Sequence, residues 1–386
     1  METRYNRQEL IPNWNQALLQ KRRVLVVGGG TLGNEIIKNL VLMGLGEITV
    51  IDNEDVATVN LNRSVLFRHE DIGKPKAEVI AQRSRELNPD CEIIPLIKDV
   101  VYDVGILEFG EYACVILAVD NNKARMHVNR CCCFNETPII NTGTRSYSGQ
   151  AYVHLCKVDS SCVECDWSAS TYAEVEKEFA CLREGLGVST SPVPMVISAA
   201  AIIGGIASQE CVRLLQDLNE GKGNSIGFEI SYDGESHSFA KLLVPANPSC
   251  NGHYRKRFRD CRILEVNLSV DEPIQKAIEK ISTELKTDRM ELSTVDIDNY
   301  RQIVYGANCR ACGQIVHVPP GLLGRFRRRV CPGCGEPEVV AISHTTTLKG
   351  TSTFRDVGIP KNDLIRVDYV DSSGIEHVGE EYVIAR

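Results

Sequence analysis

Short β-branched and apolar runs alternate with longer stripes of helical spacing through the first two thirds of the chain. Arg23 to Val27 is such a run, followed by Gly28-Gly29-Gly30-Thr31-Leu32-Gly33. Apolar residues then recur at Leu32, Ile36, Leu40 and Met43, one face of a helix. The pattern predicts strand, glycine turn, helix. A second strand, Glu47 to Ile51, ends in Asp52, which falls 52 − 33 = 19 residues past the last glycine. In nucleotide-binding folds an acid ~20 residues on binds a ribose hydroxyl, and that is the role expected of Asp52. Strand candidates continue at Cys91 to Ile97, Cys114 to Val119 (followed by a helix from Asn121) and Pro138 to Asn141. Strands alternating with helices predict an α/β fold, a doubly wound, Rossmann-like, mostly parallel sheet.

From Gln150 to Lys157 the pattern shifts toward longer, paired strands, and Met195 to Leu215 reads as one long helix of small and apolar residues. A crossover loop over about 157–194 lies between them. Leu264 to Val270 reads as a strand, and an amphipathic helix follows through Ile274, Ile278, Ile281 and Leu285. These open a second domain that closes with strands near Leu364 to Tyr369. The expected division is residues 1–260 and 261–386, with an insertion at about 305–338. No internal repeat or low-complexity tract is visible.

Charged residues make up 24% of the 386 positions and apolar residues 43%, near the average for soluble globular proteins. No apolar run reaches the ~18 residues of a membrane span, so no membrane partner is expected. The first residues, Met1-Glu2-Thr3-Arg4-Tyr5-Asn6-Arg7-Gln8, lack the apolar core of a secretory signal. A cytoplasmic location is expected. The net charge of −8 argues against a polyanion as principal partner, so no nucleic acid is expected. In such a chain, sixteen cysteines with pairs at C-x-x-C spacing point to zinc rather than disulfides.

Taken alone, the glycine motif points more often to NAD or FAD than to ATP. Around it, however, stand Asn60-Leu61-Asn62-Arg63, Gly73-Lys74-Pro75-Lys76 and Asp120-Asn121, with Arg125 behind them. Together with Arg4-Tyr5-x-Arg7-Gln8, Asp52 and a C-x-x-C in the same order, they make residues 4–253 resemble a known superfamily. It is that of the ubiquitin-activating enzymes and the thiamine and molybdopterin biosynthesis adenylyltransferases. The resemblance implies Mg2+ and ATP. The loop amides from Gly28, Gly30 and Gly33 onward would face phosphate, helped by the partial positive charge of a helix N-terminus. By the same resemblance Asp52 holds the ribose, Asn60 and Arg63 hold phosphate, Lys76 reaches phosphate, and Asp120 holds magnesium. Arg7 would reach the γ-phosphate from a second subunit like an arginine finger. One copy of the fold is visible, so a homodimer is expected. Thr31 stands where the family often has glycine, and Ser64 where glutamine is usual.

Cys162-x-x-Cys165 and Cys250-x-x-His253 form a candidate zinc set, three thiolates and an imidazole where the family uses four cysteines. Closing the loop of 250 − 165 = 85 residues costs ~4 kcal/mol plus a constant. Structural zinc, at an apparent ~10–16 kcal/mol, exceeds that. The bland alternative is that Cys250 and His253 are incidental. Cys309-x-x-Cys312 with Cys331-x-x-Cys334 has the doubled spacing of a zinc ribbon. Its arginines, Arg325 and Arg327 to Arg329, suit nucleic acid or protein; the overall acidity puts protein docking first.

The resemblance also implies a nucleophilic cysteine past the first zinc pair, and Cys181, 181 − 165 = 16 residues on, holds that position. Cys131, Cys132 and Cys133 read as small buried hydrophobes and Cys91, Cys114 and Cys211 as core, with Cys156 and Cys261 left open. The C-terminal domain loosely resembles a β-grasp, which in activating enzymes recruits the conjugating enzyme. The expected function is adenylation of a ubiquitin-like protein with a C-terminal Gly-Gly, thioester formation on Cys181 and transfer to a conjugating enzyme. The alternative stops at the adenylate of a sulfur-carrier protein, and a non-enzymatic scaffold is a third class.

Overall fold

The computed structural model describes residues 4–157, 160–175, 194–216, 226–253, 261–287, 289–294, 303–309, 312, 315–317, 334, 339–344, 353–356 and 358–386. The chain divides into two compact units. One comprises Met1–Ile97, Phe109–Trp167 and Ser191–Tyr254, the other Lys98–Glu108, Ser168–Thr190 and Arg255–Arg386.

The first unit begins with two short helices, α1 (Asn6–Glu9) and α2 (Gln16–Leu19). An eight-stranded sheet follows: β1 (Arg23–Val27), β2 (Glu47–Ile51), β3 (Glu92–Leu96), β4 (Cys114–Leu117), β5 (Ile139–Arg145), β6 (Ser148–His154), β7 (Phe228–Asp233) and β8 (Ser238–Leu243). Their order across the sheet is β3-β2-β1-β4-β5-β6-β7-β8. From β3 to β5 every pairing is parallel, and from β5 to β8 every pairing is antiparallel. The chain steps outward from β1 to β2 and β3, then returns to place β4 on the other side of β1. That reversal is a topological switch point, where open α/β sheets bind ligands at the C-terminal ends of their strands.

Helices α3 (Thr31–Leu42) and α4 (Lys76–Leu87) make the crossovers, and α5 (Asn122–Asn135) follows β4. Val24, Leu25, Val26 and Val27 of β1 are all buried, as a strand covered on both faces requires. Each such side chain contributes ~1.5–3 kcal/mol. Helix α6 (Ile197–Leu215) is long and apolar enough to cross a membrane, yet half of it is buried within this unit. It lies so close to α3 that a Cβ on Gly204 would sit 2.8 Å from Cβ of Glu35. Ser208 of α6 donates to the Gly204 carbonyl of its own helix at 2.6 Å, with the Ile36 carbonyl of α3 3.4 Å from its hydroxyl.

Several expected boundaries move. The paired strand expected over Gln150 to Lys157 is Ser148–His154, because Cys156 turns into the left-handed region at φ 56° and ends it. The strand expected to reach Val119 stops at Leu117, and the long helix starts at Ile197 rather than Met195. Part of the expected crossover loop, 169–175, is helical.

In the second unit, α7 (Ile274–Leu285) buries Ile274, Ala277 and Ile281 in a core with Leu292, Phe354, Ile365, Val367 and Val383. Its strands are β9 (Arg262–Ile263), β10 (Met290–Thr294), β11 (Ile303–Cys309), β12 (Ile315–His317), β13 (Val339–His344), β14 (Asp363–Val370) and β15 (Glu376–Ala385). They form one sheet in the order β10-β14-β15-β9 and another in the order β12-β11-β13. The strand expected over Leu264 to Val270 is largely absent. Only Arg262–Ile263 forms a continuous ladder with β15; Val266 N–H bonds back to the Leu264 carbonyl at 3.0 Å and bends the backbone away, and pairing resumes as a single parallel bridge between Leu268 and Ala385. Leu264, Leu268 and Val270 are apolar because they fill the core.

Candidate functional site

From the end of β1 into the first turn of α3, Gly28 and Gly33 sit where the backbone leaves no room for a side chain. Gly28 has φ 98°, and a Cβ there would lie 2.5 Å from the Ala118 carbonyl oxygen at the end of β4. A Cβ on Gly33 would lie 2.0 Å from the Gly28 carbonyl oxygen, so the first turn of α3 closes onto the loop only without a side chain. Around Gly30, the residue preceding α3, a Cβ would meet nothing within 4 Å among the described residues. The first amides of α3 have no partner within the helix and carry the positive end of its dipole, so this open surface is built for an anion.

Asp52 stands at the end of β2, facing the loop. Its carboxylate accepts from the Gly29 amide at 2.7 Å and the Glu54 amide at 2.8 Å. Burial raises its pKa above the ordinary carboxylate value, against the charge of Lys76 and the two amides. Lys76 opens α4 almost fully buried and reaches Glu54 at 2.6 Å, an exposed carboxylate that a ligand can displace.

The segment with Asn60 and Arg63 is tied to the loop by a residue the sequence did not single out. Asn34, fully buried in α3, donates to the Gly29 and Gly30 carbonyls at 2.8 and 3.0 Å and accepts from Leu66 N–H at 2.9 Å. A polar residue on an otherwise apolar helix face was the available signal. Asn60 is buried, and its side-chain oxygen accepts from the Ala57 amide at 2.8 Å, which leaves its NH2 group as donor. Arg63 folds back on its own turn, donating to the Val59 carbonyl and to Asn62.

Asp120 is exposed just past β4, beside the strand end that touches Gly28. Arg125, one turn into α5, donates to the Val119 carbonyl and the Asn141 side chain. Burial lowers its pKa to about 10, opposed by the charge of Asp120. Arg7 lies elsewhere. Its helix α1 is fixed by Gln8 to the Met43 carbonyl and by Tyr5 to Asn88, the C-terminal ends of α3 and α4. With twelve residues in α3, that places α1 ~18 Å from the glycine loop of its own chain.

Behind α5 the structure gathers Cys162, Cys165, Cys250 and His253, whose ligand atoms all lie within 4.8 Å of one another. The sulfurs of Cys162 and Cys250 are 3.7 Å apart, those of Cys162 and Cys165 3.8 Å, and Cys165 is 3.3 Å from His253 Nε2. A tetrahedral ion with metal–sulfur bonds of ~2.3 Å spans edges of ~3.8 Å, so this donor set could hold zinc. Amides point at the sulfurs: Cys162 N and Asn247 N toward Cys165, Gly252 N toward Cys250. Hydrogen bonding from Cys162, then from Cys250, holds the Cys165 thiol far below its ordinary pKa. Gly252 is pressed in, since a Cβ there would meet Asn129 Nδ2 at 2.6 Å and Cys162 Sγ at 2.8 Å.

Inside this knuckle, Glu164 forms a buried bidentate pair with Arg130 of α5, at 3.0 and 2.8 Å, and accepts from Asn129 at 2.9 Å. The other Asn129 side-chain atom accepts from Val163 N–H at 3.0 Å. Sequence reasoning missed all three residues; the polar pair directly ahead of the cysteine triplet was the signal. Cys131, Cys132 and Cys133 are buried, as are Cys91, Cys114, Cys156 and Cys211. Burial pushes the Cys91 thiol up to about 12, which keeps it protonated and poorly nucleophilic. Cys261 is partly exposed.

Cys181 and Cys331 lie outside the described residues. Of the other ribbon candidates, Cys309 ends β11, and Cys312 and Cys334 are exposed.

The ThiF family matches residues 5–252. SUMO-activating enzyme subunit 2 of Dictyostelium discoideum is 35% identical over 187 residues, covering 48% of this chain and 27% of that protein. The NEDD8-activating enzyme E1 catalytic subunit of Arabidopsis thaliana is 37% identical over 156 residues, covering 37% of this chain and 34% of that protein. The chain thus spans about a third of the length of these curated relatives. Among solved structures, Escherichia coli MccB with ATP superposes with a TM-score of 0.53 at 19% identity, covering 66% of this chain and 74% of that one.

Proposed function

The chain belongs to the ThiF family, within the ubiquitin-activating-enzyme-like adenylyltransferases, and on that premise we propose that it uses Mg-ATP to adenylate the C-terminal carboxylate of a ubiquitin-like protein ending in Gly-Gly. The observation that carries this reading is the placement of the open α3 amides, Asp52, Lys76 and Asp120 around the switch point of the parallel sheet.

A carboxylate is a poor electrophile until one of its oxygens becomes part of a good leaving group. In the proposed step a carboxylate oxygen attacks the α-phosphorus of ATP, the bond to the bridging oxygen breaks, and pyrophosphate leaves with that electron pair. Two anions must therefore meet. The α3 amides and Lys76 lower that cost by facing the phosphates, and Asp52 orients the ribose. Asn60 supplies its NH2 group, and Arg63 reaches phosphate by exchanging its bond to Val59 for the ligand. Asp120 would hold magnesium, which supplies charge neutralisation across the phosphates. Because α1 is remote from its own loop, Arg7 serves the γ-phosphate of the partner subunit in a homodimer. Zinc at Cys162, Cys165, Cys250 and His253 has a structural part, tying the segment after β6 to α5. A second zinc at Cys309, Cys312, Cys331 and Cys334 would shape a ribbon within a β-grasp-like C-terminal domain, residues 261–386, that docks a conjugating enzyme.

In this reading the adenylate then passes to Cys181. Its thiolate attacks the acyl carbon, AMP leaves, and the thioester is handed to the conjugating enzyme, all in the cytoplasm. The second reading stops at the adenylate and is allowed by the likeness in fold to MccB, a biosynthetic enzyme crystallised with ATP and with N-formylated MccA. There the acyl-AMP of a sulfur-carrier protein would go on without a thioester. A non-reducing gel of wild type and Cys181→Ala, incubated with Mg-ATP and Gly-Gly-ended β-grasp proteins, separates the two. The relay predicts a thiol-sensitive adduct in wild type alone; adenylation without that adduct establishes the second reading.

A further inference from the structure

One face of the β5–β6 hairpin forms the wall of a small polar cavity beside the proposed adenylation site. The register pairs Gly143 with Gln150 and Asn141 with Tyr152, so all four share a face. Arg125 and Asn122 of α5 and Trp167 beyond the knuckle complete a space of about 180 Å³. That is below the ~300–1,000 Å³ of pockets for compact small molecules, and its amide-rich lining suits a narrow chain with backbone groups to satisfy.

Arg125 is the unusual member. It is half-buried, among the described residues no carboxylate comes within ion-pair distance, and its two hydrogen-bond partners are a carbonyl and a neutral amide. A guanidinium has five N–H donors, so three remain beyond those two bonds. Asp120 offsets the burial of this cation only through space, and an arriving carboxylate would supply the direct charge-assisted contact it lacks. The cation is also joined through the Val119 carbonyl to the loop carrying Asp120, next to the phosphate end. Asp166, exposed on the same cavity, is the acidic residue among the described lining, and an incoming carboxylate must keep to the Arg125 side. Gly143 leaves the approach open: a Cβ there would meet only Arg125 Nη2, at 3.8 Å, among the described residues.

We propose that Arg125 orients the free C-terminal carboxylate of the substrate for attack on the α-phosphorus, and that Gly143 keeps the channel to it clear. The inference rests on the adenylation reading above and adds a residue and an end-group requirement to it. The test titrates two short peptides ending in Gly-Gly, one with a free carboxylate and one as the C-terminal amide, into the full chain with a non-hydrolysable ATP analogue. Wild type should bind the acid at least about tenfold more tightly than the amide, in line with a charge-assisted contact. Arg125→Gln should bind both alike. Gly143→Val, which leaves the guanidinium in place, should lose both peptides while holding the nucleotide analogue as wild type does, which also shows that the variant is folded. The proposal is overturned if wild type binds acid and amide equally or binds neither, if Arg125→Gln keeps the preference, or if Gly143→Val binds like wild type. Pyrophosphate exchange driven by an intact Gly-Gly-ended β-grasp protein is scored separately, so a failure here is distinct from a failure of adenylation itself.

Discussion

At the glycine loop the chain works within a short stretch of itself, Gly28 to Asp52, while the knuckle brings Cys162 and Cys165 against Cys250 and His253 from 85 residues further on (250 − 165). The loop is held by backbone geometry and by hydrogen bonds to Asn34 and Asp52. The knuckle is a ring of sulfurs at metal-binding spacing, backed by one buried ion pair. The loop is thus fixed by local geometry, whereas the knuckle gathers thiols whose charge the proposed zinc would balance.

Removing the ion should therefore produce the largest effect. Chelation of the full chain, or Cys250→Ser, is expected to forfeit a large part of the ~10–16 kcal/mol that structural zinc supplies, read as a steep fall in Tm. An unchanged Tm with no metal found by elemental analysis would erase the contrast between the two regions. Glu164→Ala comes next, since it removes the buried carboxylate of the pair with Arg130; urea unfolding should show a loss of ~3–5 kcal/mol. Gly33→Ala follows at ~2–4 kcal/mol, because its Cβ can be admitted only by moving backbone. Loss of nucleotide binding in a still-folded Gly33→Ala protein would sharpen the view that the loop is rigid by construction.

The smallest effect concerns Asp52. Burial lifts its folded-state pKa above the unfolded value of about 3.9, so its ionisation costs stability as pH rises through the folded pKa, and the cost is absent below the unfolded pKa. Asp52→Asn should thus match or exceed wild-type stability near neutral pH and lose that advantage on acidification, while nucleotide binding weakens. Denaturation curves at both pH values and a nucleotide titration check the two halves.

The same contrast explains what was legible. The strand–loop–helix and Asp52 could be read directly because their constraints are local: glycines where a Cβ has no room, and an acid one β-α-β unit on. That Cys162, Cys165, Cys250 and His253 come together was legible from spacing alone. Asn34, Asn129 and the Arg130–Glu164 pair were not, because each is a polar residue on a buried face whose partner lies about 30 residues away in sequence and is fixed only by packing. Leu264 to Val270 misled for a related reason: apolar residues that serve a core look like those that serve a ladder. Arg63 was placed by pattern, but its inward fold onto Val59 depends on a turn that spacing does not reveal.

The most direct test of adenylation is exchange of labelled pyrophosphate into ATP by the full chain, with and without a Gly-Gly-ended β-grasp protein. Exchange that depends on that protein and disappears in Asp120→Asn is the predicted result. The absence of exchange across a panel of such proteins, with ATP still bound, would contradict it.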